Sequence, residues 1–87
     1  MIDMDFFDKW RPGSYAYCIF GGAIYQVKID AIGYIESERL DSYHVRYFVP
    51  IGTARIKVNW YVGHEKDKLF ETFEDAVNAL EGVKTDE

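Results

Sequence analysis

The chain has 87 residues, 17% of them aromatic, and its formal net charge is -5. A chain of this length folds as one domain that buries roughly 60–65% of the surface exposed when it is unfolded, which leaves no room for a large enclosed active site. Its lone cysteine, Cys18, excludes an internal disulfide framework. The first residues lack the basic and apolar regions of a signal peptide, and no apolar run approaches the ~20 residues of a membrane span, so we expect a cytoplasmic protein without membrane contact.

The charge is distributed unevenly, with acidic ends and a basic middle. The only charged residues among the first eight are Asp3, Asp5 and Asp8. Residues 71–87 carry six acids against Lys84 alone. Residues 42–64 contain no acid, and their charged residues are Arg46, Arg55 and Lys57. This asymmetry either keeps the protein soluble or steers a charged partner towards one side of it.

The N-terminal twelve residues carry aromatic side chains at roughly helical spacing, at Phe6, Phe7 and Trp10. This spacing predicts either a short helical turn or an arm that packs its aromatic side chains onto the rest of the domain. Pro12-Gly13 is a turn signal that ends the segment. A short strand is predicted over residues 15–19, followed by Gly21-Gly22 as a two-residue hairpin loop that tolerates positive φ.

Apolar and polar residues then alternate with the period of half-buried strands. The clearest stretch covers residues 24–32, where the predicted buried face is Tyr25, Val27, Ile29 and Ala31. Gly33 predicts a bulge or bend, after which residues 34–35 continue the ladder briefly. Further strands are predicted over residues 43–49, closed by Pro50, over residues 55–62, and over residues 68–71.

A short amphipathic helix is predicted over residues 72–82. Thr72 is a candidate N-cap, and Asp75 three residues later can return the hydrogen bond in a capping box. The predicted buried stripe is Phe73, Ala76, Val77 and Leu80, and Gly82 is the predicted C-terminal stop. A helix this short is unstable alone in water and must dock on the sheet.

These elements predict a mostly β domain of about five short antiparallel strands with one C-terminal helix. Small sheets avoid exposed edges by curling towards closure, so we expect a small curved sheet or SH3-like barrel whose opening the helix covers. A flat sheet with the helix on one face is the alternative. The single domain of residues 1–87 then divides into an aromatic arm (1–12), a β-barrel (15–71), the helix (72–82) and a flexible tail (83–87).

The order of these elements resembles a loose group of small accessory proteins encoded by bacteria, phages and mobile elements, especially in Gram-positive hosts. Members end in a phrase of the form Phe-x-Thr-x-Glu-Glu-Ala, which here covers residues 70–76. The chain departs from it at Phe73, where Lys or Arg is usual, and at Asp75, where Glu is usual. The similarity spans residues 15–82. It implies an accessory protein rather than a metabolic enzyme and, by analogy with small acidic phage proteins, an inhibitor of host defence such as an anti-CRISPR protein.

The residue types that could carry catalysis are scattered. Cys18 lies inside a predicted strand, where a cysteine usually acts as a small hydrophobe. His44 lies in mid-strand and His64 in a polar turn, and neither has a neighbour at metal-ligand spacing. We therefore expect no catalytic residue, no metal and no cofactor, and a protein that works by binding.

The first binding hypothesis is an interface with a host protein, such as a defence nuclease, formed by an acidic and aromatic surface. Interfaces favour aromatic anchors, and carboxylates could occupy the positions where phosphates normally bind such a nuclease. The candidate residues are Asp3, Asp5, Phe6, Phe7, Asp8, Trp10, Tyr34, Glu36 and Glu38. The alternative is that the N-terminal aromatic side chains only plug the barrel.

The second hypothesis is nucleic-acid binding by a basic and aromatic sheet face. If the strands at residues 43–49 and 55–62 pair, their polar sides form one surface of the kind that small barrels use to stack bases. The candidate residues are His44, Arg46, Phe48, Arg55, Lys57 and Tyr61. The net negative charge weakens phosphate attraction and argues against it. A two-fold homodimer through edge strands is a third possibility.

Overall fold

The computed structural model describes residues 4–36 and 41–82, with backbone alone for Glu36 and Asp41. Its elements in chain order are α1 (Met4–Lys9), β1 (Tyr15–Phe20), β2 (Ala23–Glu36), β3 (Asp41–Ile51), β4 (Ala54–Tyr61), β5 (Leu69–Phe70) and α2 (Phe73–Gly82). The strands form one antiparallel sheet in the order β4-β3-β2-β1-β5. The sheet is curved and unclosed, with β4 and β5 as its edges in the described chain. The mostly β prediction is confirmed, and of its two forms the open curved sheet is the correct one.

The first hairpin turn forms as the sequence predicts. Gly21 and Gly22 both adopt positive φ, at 61° and 82°, and the flanking Phe20 and Ala23 pair directly. Positive φ at both central residues is the geometry of a type I′ turn, whose twist matches that of the strands. The turn fixes the β1–β2 register, in which Ala16 lies opposite Val27.

The predicted bulge at Gly33 is wrong, because the irregularity lies three residues earlier. The β2–β3 register shifts between Ile29, opposite Tyr47, and Ala31, opposite Arg46, so that Asp30 is the extra residue. An extra residue reverses the alternation beyond it. Ile32, rather than the predicted Ala31, therefore packs against the core.

Two predicted strand ends also differ from the structure. β3 continues through Pro50, which pairs with Arg55 on β4. On its other side, β3 pairs with β2 from Tyr47, which lies opposite Ile29, back to Asp41. Pro50 lies outside that pairing, so its missing N–H costs no hydrogen bond between the strands. β5 is shorter than predicted, with only two residues.

The sheet has an inner face that holds the core and an outer face that does not. The buried side chains of the inner face are Ala16, Cys18, Val27, Ile29, Val45, Tyr47, Val49, Val58, Trp60 and Leu69. Cross-strand neighbours on this face pack in rows, such as Ile29 beside Tyr47 and Tyr47 beside Val58. The alternation predicted for β3 and β4 is confirmed by this pattern.

The two helices lie on opposite faces of the sheet. From α1, Phe6 packs on the ring of Tyr43, with centroids 4.5 Å apart, and Trp10, just after the helix, meets Trp60 edge to face at 5.4 Å. α2 instead packs against β1, β2 and β5 from the outside. The prediction that the C-terminal helix covers an opening is therefore wrong: the N-terminal arm covers the inner face, through Phe6 and Trp10.

The start of α2 confirms one predicted feature and corrects another. The Asp75 N–H donates to the Thr72 hydroxyl at 3.0 Å, so Thr72 is the N-cap. Phe73, predicted in the buried stripe, is 56% exposed and rests against the edge of Tyr17. Ala76 is the fully buried residue of the helix, since a small side chain allows close approach to the sheet. The helix includes Gly82, the predicted stop.

The loop between β4 and β5 is held over the inner face by two buried aromatic side chains. The Tyr47 hydroxyl donates to the carbonyl oxygen of Asp67 at 3.1 Å, and Trp60 Nε1 donates to that of His64 at 2.8 Å. Asp67 itself is left-handed, with φ of 61°. These bonds satisfy the polar ends of two core side chains and fix the loop that separates the sheet edges.

Candidate binding surfaces

The acidic arm does not present its aromatic residues as a binding surface. Phe6 is 7% exposed and Trp10 6% exposed, and Phe7 is half-buried against Tyr43. Both Phe6 and Trp10 therefore lie in the core, where neither side chain is exposed to anchor a partner. The alternative that the N-terminal aromatic side chains plug the inner face is what the structure contains.

The remaining candidates of that surface are divided between different parts of the fold. Asp5 and Asp8 are exposed on α1, and Asp8 lies 3.5 Å from the guanidinium of Arg11. Tyr34 is half-buried on the inner face, beside Tyr43. Asp3, Glu38 and the side chain of Glu36 lie outside the described residues. The described members therefore do not form one exposed cluster.

The six candidates of the basic sheet face do come together on the outer side of the β3–β4 hairpin. The register places His44 opposite Tyr61 and Phe48 opposite Lys57, with Arg46 between them and Arg55 next to the turn. We call this surface, formed by His44, Arg46, Phe48, Arg55, Lys57 and Tyr61, the outer hairpin face. Arg55, Lys57 and Tyr61 are exposed, and α2 packs at the other end of the sheet.

One cation–ring contact and one ring–ring contact lie on this face. The Arg55 guanidinium lies 4.5 Å from the centroid of the Phe48 ring, and the rings of His44 and Tyr61 are 5.7 Å apart. Arg46 donates to the carboxylate of Asp30 at 2.9 Å, so the bulge supplies a counter-charge. Lys57 has no ion-pair partner among the described residues. The usable positive charge is therefore concentrated at Arg55 and Lys57, on β4.

Gly33 shapes the surface next to His44. The two residues are cross-strand partners, and a Cβ added to Gly33 would fall 2.6 Å from His44 Nε2. The imidazole therefore covers the backbone where the side chain is missing, as aromatic residues commonly do opposite a strand glycine. Gly33 is needed for this close approach rather than for a bulge.

Among residues 4–36 and 41–82, the backbone of β4 pairs only with β3, which leaves its outward-facing groups without a strand partner there. The Val62 N–H donates to the Tyr43 carbonyl oxygen at 2.9 Å, so Val62 directs its backbone groups at β3. Antiparallel strands alternate residues that face the neighbour with residues that face away. The odd-numbered residues Arg55, Lys57 and Asn59 therefore direct their N–H and C=O groups away from β3. We call these backbone groups the β4 edge. No sequence signal marked it, because edge position depends on strand order.

A cleft of about 380 Å³ lies where the sheet fails to close, between the β4 and β5 edges. Trp10, Trp60 and Leu69 form its apolar part. Lys9 and Glu71, 3.8 Å apart, lie at its rim. Its lining combines aromatic rings with paired charges, and the exposed Val62 continues it towards β4.

Cys18 is placed where it cannot act as a nucleophile. The side chain is fully buried, and burial raises the pKa of its thiol to about 11. A thiol with this pKa is protonated at neutral pH and is a poor nucleophile. Across residues 4–36 and 41–82, no group of three or more His, Cys, Asp or Glu side chains could hold a metal ion. His64 is exposed in the β4–β5 loop.

No protein-family model, curated protein or solved structure matches this chain. Within the described residues, neither helix has the length and apolar character needed to cross a membrane.

Proposed function

We propose that this protein is a non-enzymatic protein-binding module whose recognition surface is the outer hairpin face. The observation that carries the proposal is a contrast in placement: Phe6 and Trp10 of the acidic arm are buried in the core, whereas on the outer hairpin face Tyr61 is exposed and the half-buried Phe48 lies against the Arg55 guanidinium. Arg, Tyr and Phe are the residue types that supply most binding energy in protein interfaces.

The architecture supports a rigid interface. Every residue of the outer hairpin face lies on a strand, and the strands beneath are fixed by the fully buried Val45 and Val49 on the opposite face. Because the backbone is already fixed on paired strands, binding does not have to order it, which favours affinity. The resemblance to accessory proteins of phages and mobile elements supports an inhibitory or modulating role towards a host protein, such as a defence nuclease.

Affinity capture from the lysate of a Gram-positive bacterium, with three forms of the protein as bait, tests the proposal. The outer-face variant combines Arg55→Ala with Tyr61→Ala, and the matched arm variant combines Asp5→Asn with Asp8→Asn. We expect a partner identified by mass spectrometry to be captured by the natural protein and the arm variant and lost from the outer-face variant. Loss from the arm variant alone would return the interface to the acidic surface.

Single-stranded nucleic acid is the second candidate, favoured by the contact between the Arg55 guanidinium and the Phe48 ring on the same face. Base stacking on such platforms tolerates any sequence, and Arg adds cation–π attraction. The net charge of -5 and the Asp30 counter-charge on Arg46 oppose it. A gel-shift titration at low salt decides the matter: without retardation of single-stranded or duplex oligonucleotides at protein concentrations on the order of tens of micromolar, this candidate is removed.

A further inference from the structure

The β4 edge carries two aligned rows of side chains beside its unpaired backbone groups. On the outer side stand Arg55 and Lys57, both exposed and both cationic. On the inner side stand Ile56, which is 39% exposed because the sheet does not close over it, and the buried Val58. Backbone donors and acceptors, a cationic row and an apolar row therefore repeat with the period of a strand.

We propose that the β4 edge binds an extended acidic segment of a partner protein as a sixth strand, with acidic side chains alternating with apolar ones. This inference rests on the proposed function and names the kind of partner. In strand addition, main-chain hydrogen bonds supply affinity and alternate side chains supply specificity. The acidic side chains would lie opposite Arg55 and Lys57, and the apolar ones opposite Ile56 and Val58.

Charge complementarity selects this occupant over a second copy of the chain. Two-fold antiparallel pairing of β4 with itself overlaps best in registers centred on Lys57 or Val58. These registers place Lys57 directly opposite its copy or diagonal to it. Like charges at these positions destabilise a sheet, and lysine on an edge strand is a common protection against self-pairing. The same charges attract a segment rich in Asp or Glu.

The direct test uses the synthetic peptide Val-Glu-Val-Glu-Val-Glu-Val, labelled with fluorescein, and fluorescence anisotropy with the full-length protein. We expect saturable binding that weakens between about 0.1 M and about 1 M NaCl, as the screening length falls from about 10 Å to about 3 Å. Lys57→Glu, at an exposed position, should weaken binding roughly 5-fold or more. The matched reversal Lys28→Glu, on β2 and away from the edge, should change it less than about 2-fold.

Two methylated peptides test the backbone pairing with the protein unchanged. When the segment pairs antiparallel to β4 with its acidic side chains opposite Arg55 and Lys57, the glutamate residues direct their N–H groups at the β4 edge, and the valine residues direct theirs away. Methylating the glutamate backbone nitrogens should abolish binding, whereas methylating those of the valines should preserve it. Equal effects of the two peptides would overturn strand addition.

Three further results would overturn the inference. These are the absence of saturation up to about 1 mM peptide, equal losses from Lys57→Glu and Lys28→Glu, and self-association of the protein in sedimentation. If the peptide fails while the outer-face variant still loses its captured partner, the edge inference falls and the proposed function stands. If capture is also insensitive to the outer-face variant, both fall.

Discussion

Two groups of aromatic residues in this small domain serve different ends. Phe6 and Trp10 are buried where they cover the inner face of an unclosed sheet, while Tyr61 is exposed on the outer hairpin face and Phe48 lies there against the Arg55 guanidinium. The two groups differ in exposure because of what they contact. The aromatic side chains of the arm pack on the rings of Tyr43 and Trp60, whereas the outer hairpin face is in contact with solvent. Aromatic content alone therefore does not locate an interface, whereas the face of the sheet does.

The largest expected effect on stability belongs to the aromatic side chains that cover the inner face. Trp10→Ala removes a buried ring that packs on Trp60 and should lower the free energy of unfolding by about 3–5 kcal/mol. Urea unfolding followed by circular dichroism measures it, and Trp10→Phe is the control that keeps a ring. A loss below about 1 kcal/mol would mean that the arm is not part of the core.

Alkaline pH should produce the next largest effect, because the inner face holds Cys18 and Tyr47 protonated. Burial raises the pKa of Cys18 from its ordinary value of 9.0 to about 11, and it raises the pKa of Tyr47 as well. The unfolded chain loses these protons first. Stability is therefore fully present below about pH 9 and falls by about 2–3 kcal/mol for Cys18 as the pH rises to about 11.

Urea unfolding at a series of pH values checks this dependence. Cys18→Ala should reduce the decline between about pH 9 and pH 11, leaving the part that belongs to Tyr47. A variant with the same decline as the natural protein would contradict the assignment to Cys18.

A smaller effect on stability should come from the hydroxyl group of the buried Tyr47. Tyr47→Phe removes the bond to the Asp67 carbonyl and should cost about 1 kcal/mol, whereas Tyr15→Phe, at an exposed tyrosine, should cost almost nothing. Thermal unfolding of the two variants measures the difference. Equal melting temperatures would show that the hydrogen bond does not hold the β4–β5 loop.

The smallest expected effect on stability belongs to the outer hairpin face. Tyr61 is 43% exposed, so Tyr61→Ala should change the free energy of unfolding by no more than about 0.5 kcal/mol. Urea unfolding beside Trp10→Ala gives the contrast directly. A loss above about 1 kcal/mol would place Tyr61 in a packed cluster and weaken its role as a binding residue.

The features that the sequence predicts correctly are those set by local chemistry. The alternation through Val45, Tyr47 and Val49, the Gly21-Gly22 turn and the Thr72 cap all depend on residues close in the chain. The shared face of His44, Arg46 and Phe48 with their β4 partners also follows, once adjacent strands are assumed to pair.

The features that the sequence does not predict depend on tertiary pairing. The extra residue at Asp30 arises from the register between two strands, and the pattern around Gly33 gives no sign of it. The exposure of Phe73 follows from the docking of α2 through Ala76, which a helical periodicity cannot distinguish from docking through the larger ring. The burial of Phe6 and Trp10 depends on which face of the sheet the arm reaches.

Amide hydrogen exchange along β4, measured residue by residue by NMR on the unbound protein, tests the central claim that this edge is open to a partner. Ile56, Val58, Trp60 and Val62 should exchange slowly, because their N–H groups face β3, while Arg55, Lys57 and Asn59 should exchange quickly. We expect this alternation between slow and fast exchange if the β4 edge is open. Uniform protection through residues 55–62 would mean that another part of the chain already occupies the β4 edge, so that no partner could bind there as an added strand.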